Sequence, residues 1–134
     1  MVIASLQGLS AFLVYFLVAA ILSGVYVMIY TRITRHDEFL LIESGNTAAA
    51  VAFGMSLLGF AMPLASAIAN SASLIDVVVW GIVALLVQTG LYFVARWRMP
   101  GVSDKIAAGD MAAALWLGFM SLGGGLLNAA SMTT

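Results

Sequence analysis

The segment HDEFLLIE holds the densest group of side chains in the sequence that can do chemistry. His36 stands beside Asp37 and Glu38, and Glu43 follows five residues later. An imidazole with nearby carboxylates is a donor set for a metal ion or for general acid–base catalysis. A lone histidine among charged residues in a short loop is more typical of a solvated loop. We therefore predict a solvated loop here, without a metal site.

Motifs of the common enzyme classes do not occur in the remaining sequence. There is no GxSxG nucleophile elbow, no HExxH metal motif, no phosphate-binding loop and no flavin fingerprint. The sequence also contains no cysteine, which removes disulfides and thiolate chemistry. We therefore predict that the protein is not an enzyme, that no catalytic residue is present, and that it uses neither a cofactor nor a metal.

The composition is that of an integral membrane protein. Of 134 residues, 63% are hydrophobic and only 8% are charged, and the mean hydropathy is +1.11. A soluble domain is about one quarter charged, so this chain could not cover its core with a polar surface. The formal net charge of −1 gives no basic surface for a nucleic acid. The lipid bilayer is the predicted partner, and a nucleic acid is excluded.

Four apolar segments are long enough to cross a bilayer as helices. A helical span needs about 20 apolar residues, and in lipid a helix satisfies its own backbone hydrogen bonds. The sequence predicts an all-α, polytopic membrane protein with four transmembrane helices, at residues 9–30, 47–69, 74–95 and 111–130.

All five basic residues lie in the two longer loops. Arg32 and Arg35 follow the first span, whereas Arg96, Arg98 and Lys105 follow the third. Lysine and arginine concentrate in cytoplasmic loops, which predicts that loops 31–46 and 96–110 are cytoplasmic and that both termini lie outside.

One stretch of the chain occurs twice. ESGNTAAAVAFG at Glu43–Gly54 resembles AAGDMAAALWLG at Ala107–Gly118, at a constant offset of 64 residues. Each copy leads into an outward-running span and includes its first residues in the predicted topology. The sequence therefore predicts a tandem 2+2 repeat of parallel two-helix units, the first over residues 1–70 and the second over residues 71–134.

Each cytoplasmic loop carries signals for a short turn of helix. Asp37–Ser44 can form a short interfacial helix that Gly45 ends, and Ser103 is predicted to start a similar turn that Gly109 ends. Repetition of these signals is consistent with a docking surface. We favour the simpler interpretation that each loop ends one helix and begins the next, because the preferences of helix ends account for the glycine, asparagine and aspartate residues found there.

Three side chains are predicted to cap the transmembrane helices. Asn46 and Asp110 begin spans two and four, and Ser73 precedes span three with the spacing of a capping box to Asp76. This spacing favours Asp76 as an interfacial first-turn acid. The alternative is an outward-facing contact with an ion or partner, because an acid at membrane depth usually has a function.

Small residues recur on one face of spans two and four. Such residues let helix backbones approach closely, so we predict that these two spans form a tight pair at the centre. The pattern is also compatible with packing between protomers. The predicted helix-packing residues are Ala50, Gly54, Ala61 and Ala65 on span two, and Ala114, Gly118, Gly125 and Ala129 on span four.

Few polar groups are placed within the membrane. Gln88 lies in the middle of span three, where its amide is more typical of a hydrogen bond between helices than of a solute pathway. The side chains that could line a pathway are Gln88, Asn128, Ser121 and Asp76.

Three stretches resemble a known family. They are DEFLLIESGNTAAAVAFGMSLLGFAMPLASAIANS, SLIDVVVWGIVALLVQ and VSDKIAAGDMAAALWLGFMSLGGGLLNAAS, which cover nearly everything after the first span. The chain resembles the YjfL-like family of small bacterial inner-membrane proteins, a domain of unknown function. The resemblance implies a bacterial cytoplasmic membrane and tandem two-helix units, but it carries no activity or site residue to this chain.

Two functional hypotheses follow from the sequence. We favour a homo-oligomeric assembly or accessory protein that uses its cytoplasmic loops to bind membrane or cytoplasmic proteins. The alternative is a small oligomeric channel or transporter for an ion or small solute. Sparse intramembrane polar residues favour the assembly role, although a hydrophobic constriction can also gate a pore.

Overall fold

The computed structural model describes residues 2–132 as four long helices and two short ones. These are α1 (Val2–Ile33), α2 (Glu38–Glu43), α3 (Thr47–Asn70), α4 (Leu74–Arg98), α5 (Val102–Ala107) and α6 (Met111–Ser131). The long helices α1, α3, α4 and α6 each have the length and apolar composition of a membrane span. The predicted all-α architecture with four spans is thereby confirmed. Helix α1 is longer than the predicted span, because it begins at Val2.

Polar side chains define where three long helices begin. The Asn46 side chain accepts from the backbone N–H of Ala49 at 2.9 Å, at the start of α3. Asp110 accepts from two backbone N–H groups at the start of α6, and Ser73 accepts from Asp76 at 3.3 Å at the start of α4. Each side chain satisfies donors that the first helical turn leaves without a partner.

The two short helices end in the same way. Gly45 and Gly109 have φ angles of +91° and +88°, a left-handed conformation that favours glycine. The N–H of Asn46 then donates to Leu41 O, and the N–H of Asp110 to Lys105 O. These left-handed turns at Gly45 and Gly109 direct the chain from each short helix into the following long helix.

Helices α3 and α6 form the central pair and run parallel. They share the most extensive contact between elements. Their backbones approach closely at Gly59 and Gly125, where an added Cβ on Gly125 would lie 2.0 Å from Gly59 O. Further along both helices, Ser66 Oγ donates to Ala129 O at 2.9 Å. Only glycine allows the two backbones to come this close.

Helix α4 packs against both members of this pair, while α1 joins the bundle only through its second half. Leu22 is the first buried residue of α1, and it lies against Gly81 of α4. Tyr26 stacks on Phe60 of α3 with ring centroids 4.7 Å apart. The first half of α1 is mostly exposed and presents apolar side chains to the membrane.

The predicted small-residue face of α6 faces α3. Ala114, Gly118 and Gly125 are buried, and Ala129 is half-buried. Met55 of α3 fills the space that a side chain at Gly118 would take.

The corresponding face of α3 does not form this contact, which corrects the prediction for that helix. It lies on the opposite side, where Ala50, Gly54 and Ala61 are half-buried and Ala65 is exposed. The buried face is formed instead by Ala49, Ala52, Ser56, Gly59 and Pro63. Because α3 carries small residues on both sides, the crossing with Gly125 selects the face that holds Gly59.

Candidate functional site: buried polar groups inside the helix bundle

A polar cluster is buried at the loop side, the end of the bundle that carries α2 and α5. His36 is buried, and Glu38 is only 1% exposed. The carboxyl Oε1 of Glu38 lies 3.3 Å from His36 Nε2 and accepts a hydrogen bond from Thr34 Oγ1. The prediction of a solvated loop is therefore wrong for His36 and Glu38.

The reason is the way in which α2 folds back onto the bundle. Asp37 caps α2 by accepting from the N–H of Leu40 at 3.2 Å. The short helix packs on α3, leaving Phe39 and Leu40 exposed while Glu38 is enclosed. Tyr30, which ends the buried face of α1, packs its ring against Phe53 of α3 and Tyr92 of α4, with ring centroids 5.5 and 6.0 Å apart.

Burial favours the neutral form of both titratable groups. It raises the pKa of the Glu38 carboxyl group, and the hydrogen bond from Thr34 opposes this shift only in part. It also lowers the pKa of the His36 imidazole, against the opposing effect of Asp37. Transfer of a charge out of water is costly, so the carboxyl group retains its proton at a higher pH than in water.

The hydroxyls of Tyr92 on α4 and Ser103 on α5 join these two helices to the end of α1. Ser103 is buried inside α5, so it does not start the turn as predicted. Its Oγ accepts from the N–H of Arg35 at 3.3 Å and lies 3.4 Å from the Tyr92 hydroxyl, which can donate to Ile33 O. These bonds fix the position of the segment that carries Thr34 and His36.

Gln88 occupies the middle of the bundle, where α3, α4 and α6 meet. It is fully buried, and neither of its amide atoms has a hydrogen-bond partner among residues 2–132. A Cβ added to Gly59 would lie 3.2 Å from Gln88 Oε1, so glycine makes room for the amide. On the adjoining helices, the hydroxyls of Ser56 and Ser121 lie 3.3 Å apart.

The polar residues predicted for a pathway do not line one surface. Gln88 and Ser121 are buried within the protomer, whereas Asp76 is half-buried in the first turn of α4. Asp76 and Gln88 are separated by about 18 Å along the helix axis at 1.5 Å per residue. Asn128, near the end of α6, is half-buried, and its side-chain nitrogen has no hydrogen-bond partner in the described part of the chain.

The sequence reasoning missed Thr34, Tyr30 and Tyr92. A usable signal was present, because Tyr26, Tyr30 and Thr34 recur every four residues and so share one helix face. Among residues 2–132, no three His, Cys, Asp or Glu side chains are placed to hold a metal ion.

The neutral state of this cluster predicts how stability depends on pH. The folded pKa of Glu38 is raised, so its contribution to stability is lost as the pH rises through that value. The folded pKa of His36 is lowered, so its contribution is lost as the pH falls below the ordinary value of 6.5. We expect the melting temperature in detergent to fall toward alkaline pH as Glu38 ionises, and toward acidic pH as His36 gains a proton. Glu38→Gln, which cannot ionise, should be a few degrees more stable than the parent on the alkaline side.

Thermal unfolding followed by tryptophan fluorescence from pH 5 to pH 9 measures this profile. Glu43→Gln is the matched control, since Glu43 is exposed on the same short helix. An alkaline decline that persists unchanged in Glu38→Gln would show that ionisation of Glu38 does not cause it, which would contradict this prediction.

Comparison with known proteins identifies the family of this chain. A profile of the family described as Domain of Unknown Function (DUF350) matches residues 4–132. The chain is 41% identical over 128 residues to UPF0719 inner membrane protein YjfL of Escherichia coli K12, covering 96% of this chain and 97% of that protein. It is 26% identical over 86 residues to UPF0719 transmembrane protein YshE of Bacillus subtilis, covering 64% of each. No solved structure matches. The four apolar helices and these matches together show that the chain is a membrane protein of the DUF350 family.

Proposed function

We propose that this protein is a non-catalytic, homo-oligomeric assembly protein of the inner membrane. Its loop side would face the cytoplasm, both termini would lie outside, and α2 and α5 would bind partner proteins. The observation that carries this proposal is the stripe of small residues at Ala50, Gly54, Ala61 and Ala65 of α3, which lies on the side of the helix away from α6.

At this stripe, a helix of a second protomer could bring its backbone close to the backbone of α3. A Cβ added at Gly54 would meet no atom within 4 Å, and Ala65 is exposed. Lipid and protein interiors are similarly apolar, so helix association in a membrane depends on close packing. A helix from a second copy can approach this stripe more closely than it can a surface of leucines.

The loop side supports a docking role for α2 and α5. The Asn46 amide donates to Ile106 O and Ala107 O, both at 3.1 Å, and so holds the two loops together. The left-handed turns at Gly45 and Gly109 are also 64 residues apart. This repetition supports a duplicated two-helix unit, with the boundary between the copies near residues 70 and 71. Two equivalent short helices would then offer a partner a paired surface.

Gly54→Leu tests the oligomer directly. We expect the parent protein to leave native-like membrane discs as a homo-oligomer, and the variant to leave as a monomer. The added leucine side chain would fill the space that a second protomer needs at the stripe. It would not enter the core of its own protomer. Native mass spectrometry measures both states.

Gly123→Leu is the control, because Gly123 is an outward-facing glycine of α6 with open space around it. It adds the same volume away from the stripe and should leave the oligomer intact. A monomeric parent protein, or equal dissociation in both variants, would count against the proposed assembly.

A second candidate function is the passage of a proton or other small ion. The observation that favours it is Gln88, a buried amide in the middle of α4 that has no hydrogen-bond partner within the described residues. Buried amides normally have partners, since an unsatisfied one is costly. A group retained at such a cost is a candidate for binding something that moves through the bundle.

A further inference from the structure

A basic groove lies at the loop-side edge of the bundle, between the end of α4 and the segment after α1. Its volume is about 390 Å³, and it is lined by Arg35, Phe93, Arg96, Trp97 and Pro100. Two separate parts of the chain thus bring their arginines to one groove. The backbone bond from Arg35 to Ser103 Oγ fixes one side, and the last turns of α4 fix the other.

The two guanidinium groups are not neutralised within the protomer. Among residues 2–132, neither Arg35 nor Arg96 has a carboxylate oxygen within 4.0 Å, and the contact of this kind found there joins His36 to Glu38. Two cations beside one groove repel each other, so an anion between them lowers the electrostatic energy. A guanidinium group binds phosphate oxygens with two parallel hydrogen bonds, so a phosphate group is a good match for a pair of arginines.

An apolar strip continues from this groove along α4 toward the membrane centre. Trp97 is 80% exposed, and Phe93, Gly90 and Leu86 lie along the same helix face, all exposed. The open space beside Gly90 makes a shallow notch between the larger side chains. Tryptophan is favoured at the level of the lipid headgroups, which places the arginines at headgroup depth and the strip at acyl-chain depth.

We propose that this groove binds the phosphate of an anionic phospholipid from the loop-side leaflet. Arg35 and Arg96 hold the phosphate, and an acyl chain lies along Phe93 and Gly90. Phosphate chemistry alone would also suit free inorganic phosphate. The adjoining apolar strip assigns the site to a lipid. The site is independent of both the assembly role and the ion pathway.

The test uses the full-length protein in detergent with added phosphatidylglycerol, and counts bound lipids by native mass spectrometry. Arg35→Gln/Arg96→Gln should weaken binding of this lipid roughly tenfold or more, given the contribution of each basic residue to an anionic lipid surface. Arg32→Gln/Arg98→Gln removes the same charge outside the groove and should retain the binding. Phosphatidylcholine, which has no net charge, should bind weakly to all of these proteins.

Three results would overturn the proposal. Retention of phosphatidylglycerol by the groove variant would show that the arginines do not form the site. An equal loss in both double variants would show diffuse attraction to net charge. Displacement of the lipid by millimolar inorganic phosphate would assign the groove to a free anion. An intact mass and an unchanged melting temperature confirm that each variant is folded.

Discussion

Replacement of Gly125 by alanine is expected to separate α3 from α6 and to unfold much of the protein under mild conditions. The new methyl group would lie 2.0 Å from Gly59 O and 2.8 Å from Gly59 C. Both contacts are with backbone, which cannot rotate away as a side chain can. The helices must therefore move apart along the most extensive contact in the fold.

The expected loss of stability is about 3 kcal/mol or more, the upper end of the range for overpacking a well-packed core. Separation of the pair also removes the contact that brings Ser56 to Ser121 and encloses Gln88. Unfolding of the purified protein by increasing mole fractions of sodium dodecyl sulfate measures the change. Gly59→Ala should behave similarly, because its methyl group would lie 2.3 Å from Ser121 O.

Gly123→Ala is the matched control on the same helix, two residues away. A Cβ at Gly123 would meet no atom within 4 Å, so the change only replaces a poor helix former by a good one. We expect no loss, and a gain of up to about 1 kcal/mol. Equal behaviour of Gly123→Ala and Gly125→Ala would mean that the α3–α6 crossing is looser than the structure shows.

Most of the secondary structure follows from local signals in the sequence. Apolar length sets the four spans, and the caps at Asn46, Asp110 and Ser73 set three helix starts. These features depend on a few neighbouring residues, so the sequence is sufficient to predict them.

The packed face of α3 could not be predicted in the same way. In a soluble helix, polar residues would identify the outward side. In a membrane both sides are apolar, so Ala50 and Gly54 are as suitable for packing as Ala49 and Gly59. The crossing partner selects one side, and that choice depends on tertiary structure.

The burial of Glu38 could not be predicted from the sequence for a related reason. Composition favours a solvated position for a charged residue in a loop, because burial of a carboxylate is costly. Here the carboxyl group keeps its proton to a higher pH, because burial raises its pKa. It also accepts a hydrogen bond from Thr34, four residues earlier in the chain. Both effects reduce the cost of burial. Whether a six-residue helix lies on the bundle or in the headgroups depends on contacts between elements that are distant in sequence.

Gln88→Leu is expected to stabilise the protein. The two side chains have similar volumes, and the substitution removes an amide whose two polar atoms have no partner in the described part of the chain. An unsatisfied buried polar group costs about 1–3 kcal/mol, so a gain of that order is expected in the dodecyl sulfate titration. Gln7→Leu, the same change at an exposed position of α1, should alter stability by less than about 0.5 kcal/mol.

The sign of this change separates the roles that Gln88 could have. If the amide held the helices together, its loss would destabilise the bundle by about 1 kcal/mol. A gain in stability would instead show that the bundle carries a destabilising group at its centre, as proteins do where a binding site requires it. The same variant in liposomes loaded with a pH-sensitive dye then tests the function. Proton flux that is present in the parent and lost in a more stable Gln88→Leu would favour the ion pathway, whereas no flux in either would leave the assembly role as the better account.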